Sequence, residues 1–204
     1  MNKVVECVPN FSEGRDMAIV NQIADAIRSV DGAELLDVDP GADTNRTVCT
    51  IVGTPDAVVE AAFQGIAMAE RIIDMRNHSG AHARMGATDV CPFVPVANMS
   101  MDECVELANR LAKRVGEELN IPVYLYEFAA KTKDRRNLAN IRAGEYEGFG
   151  EKIKKPEWKP DYGPSEFNVK SGATVIGARK FLIAYNVNVN SRNERLAHNI
   201  ALDI

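Results

Sequence analysis

Short β-branched runs alternate along the chain with stretches of helical period. Lys3–Val8 is apolar, is ended by Pro9, and reads as a strand. From Asp16 to Val30 the apolar residues Met17, Ile19, Val20, Ile23, Ala24 and Ile27 recur with the 3.6-residue spacing of an amphipathic helix. Glu34–Val38 and Thr47–Val52 read as two further strands, joined by an Asp-, Pro- and Gly-rich loop through Arg46. Thr54 followed by Pro55 opens a second helix to about Asp74, because proline at the first helical position pre-sets φ and forfeits no hydrogen bond. After a loop rich in Gly, His and Arg comes a strand near Val90–Val94, and its prolines, Pro92 and Pro95, suggest an edge or irregular strand. Ser100 and Glu103 form a capping box for a helix through about Leu119, and Pro122–Tyr126 is another strand.

Up to Val94 this order is β-α-β-β-α-β, the split βαβ pattern of ferredoxin-like sheets. The expected fold class is therefore α+β, a ferredoxin-like mixed sheet with helices packed on one face. Residues 127–180 are less regular, with helices expected around Lys133–Arg142 and Glu145–Ile153. Pro156, Pro160, Gly163 and Pro164 then mark a loop or linker. Phe181–Val189 reads as a new strand and Asn193–Ile204 as a helix in which the chain stops. The expected division is residues 1–178 as one subdomain and 179–204 as the first strand and helix of an incomplete, similar second one.

Composition adds exclusions. Of 204 residues 46% are hydrophobic and 26% charged, which suits a folded globular chain and excludes a disordered or low-complexity one. A formal net charge of −5 argues against nucleic acid as a partner. The charge is uneven, however: residues 125–180 hold 12 of the 24 lysines and arginines but 8 of the 29 acids. Such a segment suits a small anionic ligand, or is a solvated face. The four cysteines show neither CxxC nor zinc-like spacing. The N-terminus has no apolar signal region and no run spans a membrane, so a cytoplasmic protein with reduced, mostly buried thiols is expected.

The most informative stretch is His78-Ser79-Gly80-Ala81-His82-Ala83-Arg84-Met85-Gly86-Ala87-Thr88-Asp89. Two histidines, an arginine and an aspartate combine a proton shuttle, a fixed cation and an orienting carboxylate. A metal site is the rival reading, because His78 and His82 are four apart, but Gly80 interrupts the helix such a pair would need. Structural histidines are the third. In Asp37–Thr47, Asp39 and Asn45 suit amine or amide groups and Arg46 a carboxylate, unless the segment is simply a turn. Asn10 and Ser12, in Cys7–Arg15, present polar groups beside the sheet or cap the next helix, and Cys7 reads as an inert buried thiol. Residues 161–173 are glycine-punctuated and lead into Gly177-Ala178-Arg179-Lys180, as befits a ligand loop or a linker.

Taken together and in order, these motifs resemble glutamate formiminotransferase, including the formiminotransferase part of the bifunctional formiminotransferase-cyclodeaminase. The resemblance is carried by Glu6–Gly14, Asp43–Val48, His82–Phe93 and Gly177–Asn186, and covers nearly the whole chain. It implies two ferredoxin-like subdomains with the active site between them. It also implies transfer of a formimino group from N-formimino-L-glutamate to tetrahydrofolate, in histidine degradation, with tetrahydrofolate as cosubstrate and no metal. The catalytic histidine falls on His82. The folate loop falls on Gly163-Pro164-Ser165-Glu166-Phe167-Asn168-Val169-Lys170-Ser171-Gly172. The sequence departs from the family at Ala83, where proline is usual, and lacks the aromatic expected in Asn168–Ser171.

On chemical grounds Asp39 or Asp89 would orient the imidazole, Arg46 and Arg84 would bind the substrate carboxylates, and Asn45 would complete the substrate set. A formyltransferase on the same scaffold and a non-catalytic folate-binding fragment are the alternatives. A homodimer is plausible from the family, and neither nucleic acid nor membrane is an expected partner.

Overall fold

The computed structural model describes residues 2–183 and 189–203. Among these, seven strands form one sheet. They are β1 (Val4–Cys7), β2 (Asn10–Phe11), β3 (Ala33–Gly41), β4 (Arg46–Gly53), β5 (Thr88–Ala97), β6 (Val123–Glu127) and β7 (Thr174–Ala178). The α-helices are α1 (Met17–Arg28), α2 (Pro55–Ile72), α3 (Met101–Glu118), α4 (Leu138–Arg142), α5 (Glu145–Lys152) and α6 (Glu194–Asp203).

Val8 and Pro9 break the first strand into β1 and β2, which lie end to end between β4 and β5. The order β3-β4-β1/β2-β5 is all antiparallel and is the ferredoxin-like arrangement expected from the sequence. β7 then β6 extend it, parallel to β5. Helix ends follow local chemistry. Asp16 accepts from Ala18 N at 2.8 Å to start α1, and the Ser100–Glu103 box starts α3 with bonds of 2.8 and 3.1 Å.

The period-2 alternation of the strands divides the core in two. Val123 and Leu125 of β6 pack under α1–α3 with Ile51, Phe93, Ile66 and Leu111. Tyr124 and Tyr126 point the other way, into a cluster with Val90, Val175, Ile141 of α4 and Phe149 of α5. Each fully buried Ile or Phe here contributes about 1.5–3 kcal/mol. The expectation of helices on one face holds for α1–α3, while α4 and α5 cover part of the opposite face.

Of the two readings its prolines suggested, edge or irregular, β5 takes the second: it is central, with shifts of register against both β1 and β2. Pro92 accepts from Val8 N at 3.0 Å, so the side on which it lacks an N–H faces the break between β1 and β2. Pro95 stands opposite Val5, at a shift of register. Segment 156–173 is a loop tied to the body: Asp161 N donates to Val123 O, and Val123 N donates to Tyr162 O, both at 2.9 Å. The centre of the strand expected at Phe181–Val189, residues 184–188, lies outside the described residues. The helix expected after it is present as α6.

Candidate functional site

A cleft of about 950 Å³ opens on the face of the sheet opposite α1–α3, beside α4. Asn10 of β2, Arg46 of β4, Val90 and Pro92 of β5 and Tyr126 of β6 line it from the sheet. Arg136, Asn137, Leu138 and Arg142 line it from the α4 side, together with Thr44, His82, Glu127, Arg179 and Leu182. Four guanidiniums against a single carboxylate, Glu127, fit an anionic ligand, because each presents a planar fork to a carboxylate.

His82 stands on a loop bound to the β3–β4 turn. Ala81 N donates to Asp43 O at 3.1 Å, Asn45 Nδ2 to Ser79 O at 2.9 Å, and His78 Nε2 to Asn45 O at 2.9 Å. Gly80 lies so close to the turn that a side chain there would collide with the Thr44 carbonyl. Asn45 has a φ of 48°, a left-handed conformation that asparagine tolerates better than most residues, and its Oδ1 accepts from Gly14 N at 3.0 Å.

Arg46 Nη1 lies 3.0 Å from His82 Nε2 and 2.9 Å from Asn10 Oδ1. A guanidinium only donates, so His82 Nε2 accepts and the neutral ring carries its proton on Nδ1. Burial, then the Arg46 and Arg142 charges, hold the His82 pKa below the ordinary histidine value, and Asp89 opposes them. Burial likewise lowers Arg46, with Arg142 adding to it. His82 Nδ1 and Arg46 Nε are buried and have no hydrogen-bond partner among the described residues.

Asp89 is 0% exposed; its Oδ1 accepts from Met85 N at 2.9 Å, and the carboxylate pairs with Arg142. It therefore holds an arginine rather than the imidazole it was expected to orient. Asp39 is exposed on edge strand β3, opposite Val48, and lines no part of the cleft. Arg84 points elsewhere: Nη1 donates to Glu145 at 2.8 Å, Nη2 to Glu147 at 2.5 Å and Nε to His78 Nδ1 at 3.2 Å. Two carboxylates satisfy this buried guanidinium in a separate recess. Asn45 braces the loop from behind. The structure thus brings His82 and Arg46 together, places Asp89 behind them through Arg142, leaves Asp39 outside the cleft with only its charge acting on Arg46, and turns Arg84 away.

No residue of Gly163–Gly172 lines the cleft. That loop closes on α3 where Gly163, with a φ of 78°, meets Gly116 and the Ile121 carbonyl. Phe167 packs edge-on against Phe149 with centroids 5.6 Å apart, and Asn168 Oδ1 accepts from Ser171 N at 2.9 Å.

Arg136, Arg142 and Tyr126 are cleft residues that motif reading passed over, and Arg179 was noted only within its motif. The signal for the three arginines is the excess of basic residues in 125–180. Among the described residues no three His, Cys, Asp or Glu side chains gather to hold a metal ion, and no helix is long and apolar enough to cross a membrane. All four cysteines are free and buried; burial pushes the Cys49 thiol up to about 12 and the Cys104 thiol up to about 11.

Residues 4–179 match the model of the formiminotransferase domain, N-terminal subdomain. The chain is 57% identical over 204 residues to formimidoyltransferase-cyclodeaminase of Gallus gallus, covering 100% of this chain and 38% of that protein. It is 55% identical over 200 residues to glutamate formimidoyltransferase of Thermoplasma acidophilum, covering 97% of this chain and 66% of that one. A third relative, glutamate formimidoyltransferase of Streptococcus pyogenes, is 46% identical over 201 residues, covering 98% of this chain and 67% of the relative. The chain thus spans little more than a third of the bifunctional relatives and about two thirds of the shorter ones. With a match over so much of its length, it belongs to the formiminotransferase family, in the N-terminal subdomain.

Proposed function

We propose that the chain carries the catalytic histidine of a glutamate formimidoyltransferase, moving the formimino group of N-formimino-L-glutamate to N5 of tetrahydrofolate and releasing L-glutamate. The observation that carries this reading is a neutral imidazole, His82, hydrogen-bonded to Arg46 in a cleft lined by arginines. N5 attacks the formimino carbon, the bond from that carbon to the glutamate nitrogen breaks, and the N5 proton must reach the departing nitrogen. A histidine that is neutral near pH 7 takes the proton and returns it, a task worth about 10²–10⁴-fold. A substrate carboxylate competing for Arg46 would release the Nε2 lone pair for this work.

Arg142 and Arg179 are the further partners proposed for the anionic groups. The names of the relatives support the formimino donor over a formyl donor. For Gly163–Gly172 the reading is contact with a distal part of the folate. Ser165, Glu166 and Val169 are exposed there on a backbone held by the left-handed glycines Gly163 and Gly172, away from His82. Residues 179–204 are read as the opening of a second subdomain and the active assembly as a homodimer. The four free cysteines suit a reducing compartment such as the cytoplasm.

The test is tetrahydrofolate-dependent glutamate release from N-formimino-L-glutamate, by this chain and by a chain extended to the length of its shorter relatives. Release by either supports the reading, and no release by both overturns it.

A further inference from the structure

Lys152, the last residue of α5, is a buried amine that the cleft does not use, only 8% exposed. Its Nζ donates to the carbonyls of Asn140 at 2.8 Å, Ile141 at 2.7 Å and Ala143 at 2.9 Å, committing all three protons. The ammonium also sits 3.9 Å from the centroid of the Trp158 ring. Ile141 and Ala143 are the neighbours of Arg142 on either side. α4 has five residues, too few to be stable alone, and the chain leaves helical geometry at Ala143 with a ψ of 122°, so these carbonyls lack helical partners. A space-filling role would be met by methionine without desolvating a charge, so the three donors are what the position requires.

From the peptide that Lys152 grips, Arg142 reaches into the cleft and pairs with Asp89. The charged groups acting on His82 are Arg46 from β4, Arg142 from α4 and Asp89 from β5. We propose that Lys152 is a positioning residue: from outside the cleft it fixes the backbone on both sides of Arg142, and so sets where that guanidinium meets an anion and how strongly its charge acts on His82. The anion-binding half of this rests on the function proposed above. The electrostatic half does not.

The experiment compares Lys152→Met and Lys152→Gln, each alone and combined with Arg142→Gln, after circular dichroism has confirmed folding. The main readout is the titration of the His82 ring by NMR. Lys152→Met should move the His82 midpoint upward, because a loosened Arg142 opposes protonation less, and should do nothing further in the Arg142→Gln background. Where the enzyme turns over, the KM for N-formimino-L-glutamate should rise about tenfold with kcat less affected, the loss of one charge-assisted contact. An unchanged midpoint in folded Lys152→Met, or the same shift in both backgrounds, overturns the proposal. Should the Met variant fail to fold, Lys152→Gln, which keeps two donors, is judged by the same two criteria. The titration needs no turnover, so loss of the enzymatic reading and loss of this one are separable.

Discussion

Replacing Asp89 with asparagine isolates the value of the charge pair behind the cleft. The amide keeps an oxygen where Oδ1 accepts from Met85 N at 2.9 Å, so that hydrogen bond survives the change. What is lost is the pairing with Arg142, between side chains that are 0% and 15% exposed. Removing one partner of a buried pair costs about 3–5 kcal/mol, because the other charge is left without compensation. Arg142 retains some solvent contact, so the loss should fall toward the low end, about 3 kcal/mol. For a chain of this size that lowers Tm by about 6–12 °C. Guanidinium denaturation of Asp89→Asn, Arg142→Gln and the double variant measures it. The double variant should be less destabilised than the sum of the singles, since removing both charges leaves no orphan. A loss under about 1 kcal/mol for Asp89→Asn, or strict additivity, would refute the reasoning.

Other outcomes follow from the same geometry. In an active assembly His82→Ala should lower turnover about 10²–10⁴-fold with folate affinity nearly unchanged, and equal turnover removes the histidine from the mechanism. Because burial and two arginines depress His82, the acid limb of the kcat/KM profile should lie below the usual histidine range, and Arg46→Gln should move it upward; a limb unmoved by Arg46→Gln contradicts this. His78 and His82 are both depressed in the folded state, so the unfolded chain binds more protons just below about pH 6.5. The stability they contribute is therefore complete above that pH and is lost as pH falls through their folded values. Denaturant midpoints at pH 7 and pH 5, compared with a His78→Gln variant whose dependence should be flatter, check the sign. Gly80→Ala should displace the loop from Thr44 at a cost of about 1–3 kcal/mol and reduce turnover more than tenfold, as denaturation and steady-state rates would show.

Much of the scaffold is written locally. The apolar spacing from Met17 to Ile27, Pro55 after Thr54 and the Ser100–Glu103 pair each carry their own physical signal within a few residues, and α1, α2 and α3 begin where those signals lie. The β-α-β-β-α-β order restricted how four strands can pair, and the sheet obeys it. Motif order in turn marked His82 and Arg46, which share a hydrogen bond although 36 positions apart. Proline patterning left edge and irregular open at β5, and the strand is irregular and central, because a missing N–H excludes proline from a central strand only where a neighbour needs that donor. The break between β1 and β2 removes the need.

Side-chain partnership belonged to the tertiary structure. Nothing in the stretch from His78 to Asp89 distinguishes Arg84 from a substrate-binding arginine, since the residues that neutralise it, Glu145 and Glu147, lie more than sixty positions later. Asp89 is likewise claimed by Arg142, 53 positions away, and not by the histidine seven residues before it. The sequence by itself determined helices, strands, their order and the loop that carries His82, because those depend on neighbours in the chain and on the period of burial. Which charges face the cleft and which are spent on one another was decided only when β5, α4 and α5 came together, since an ion pair depends on distance in space.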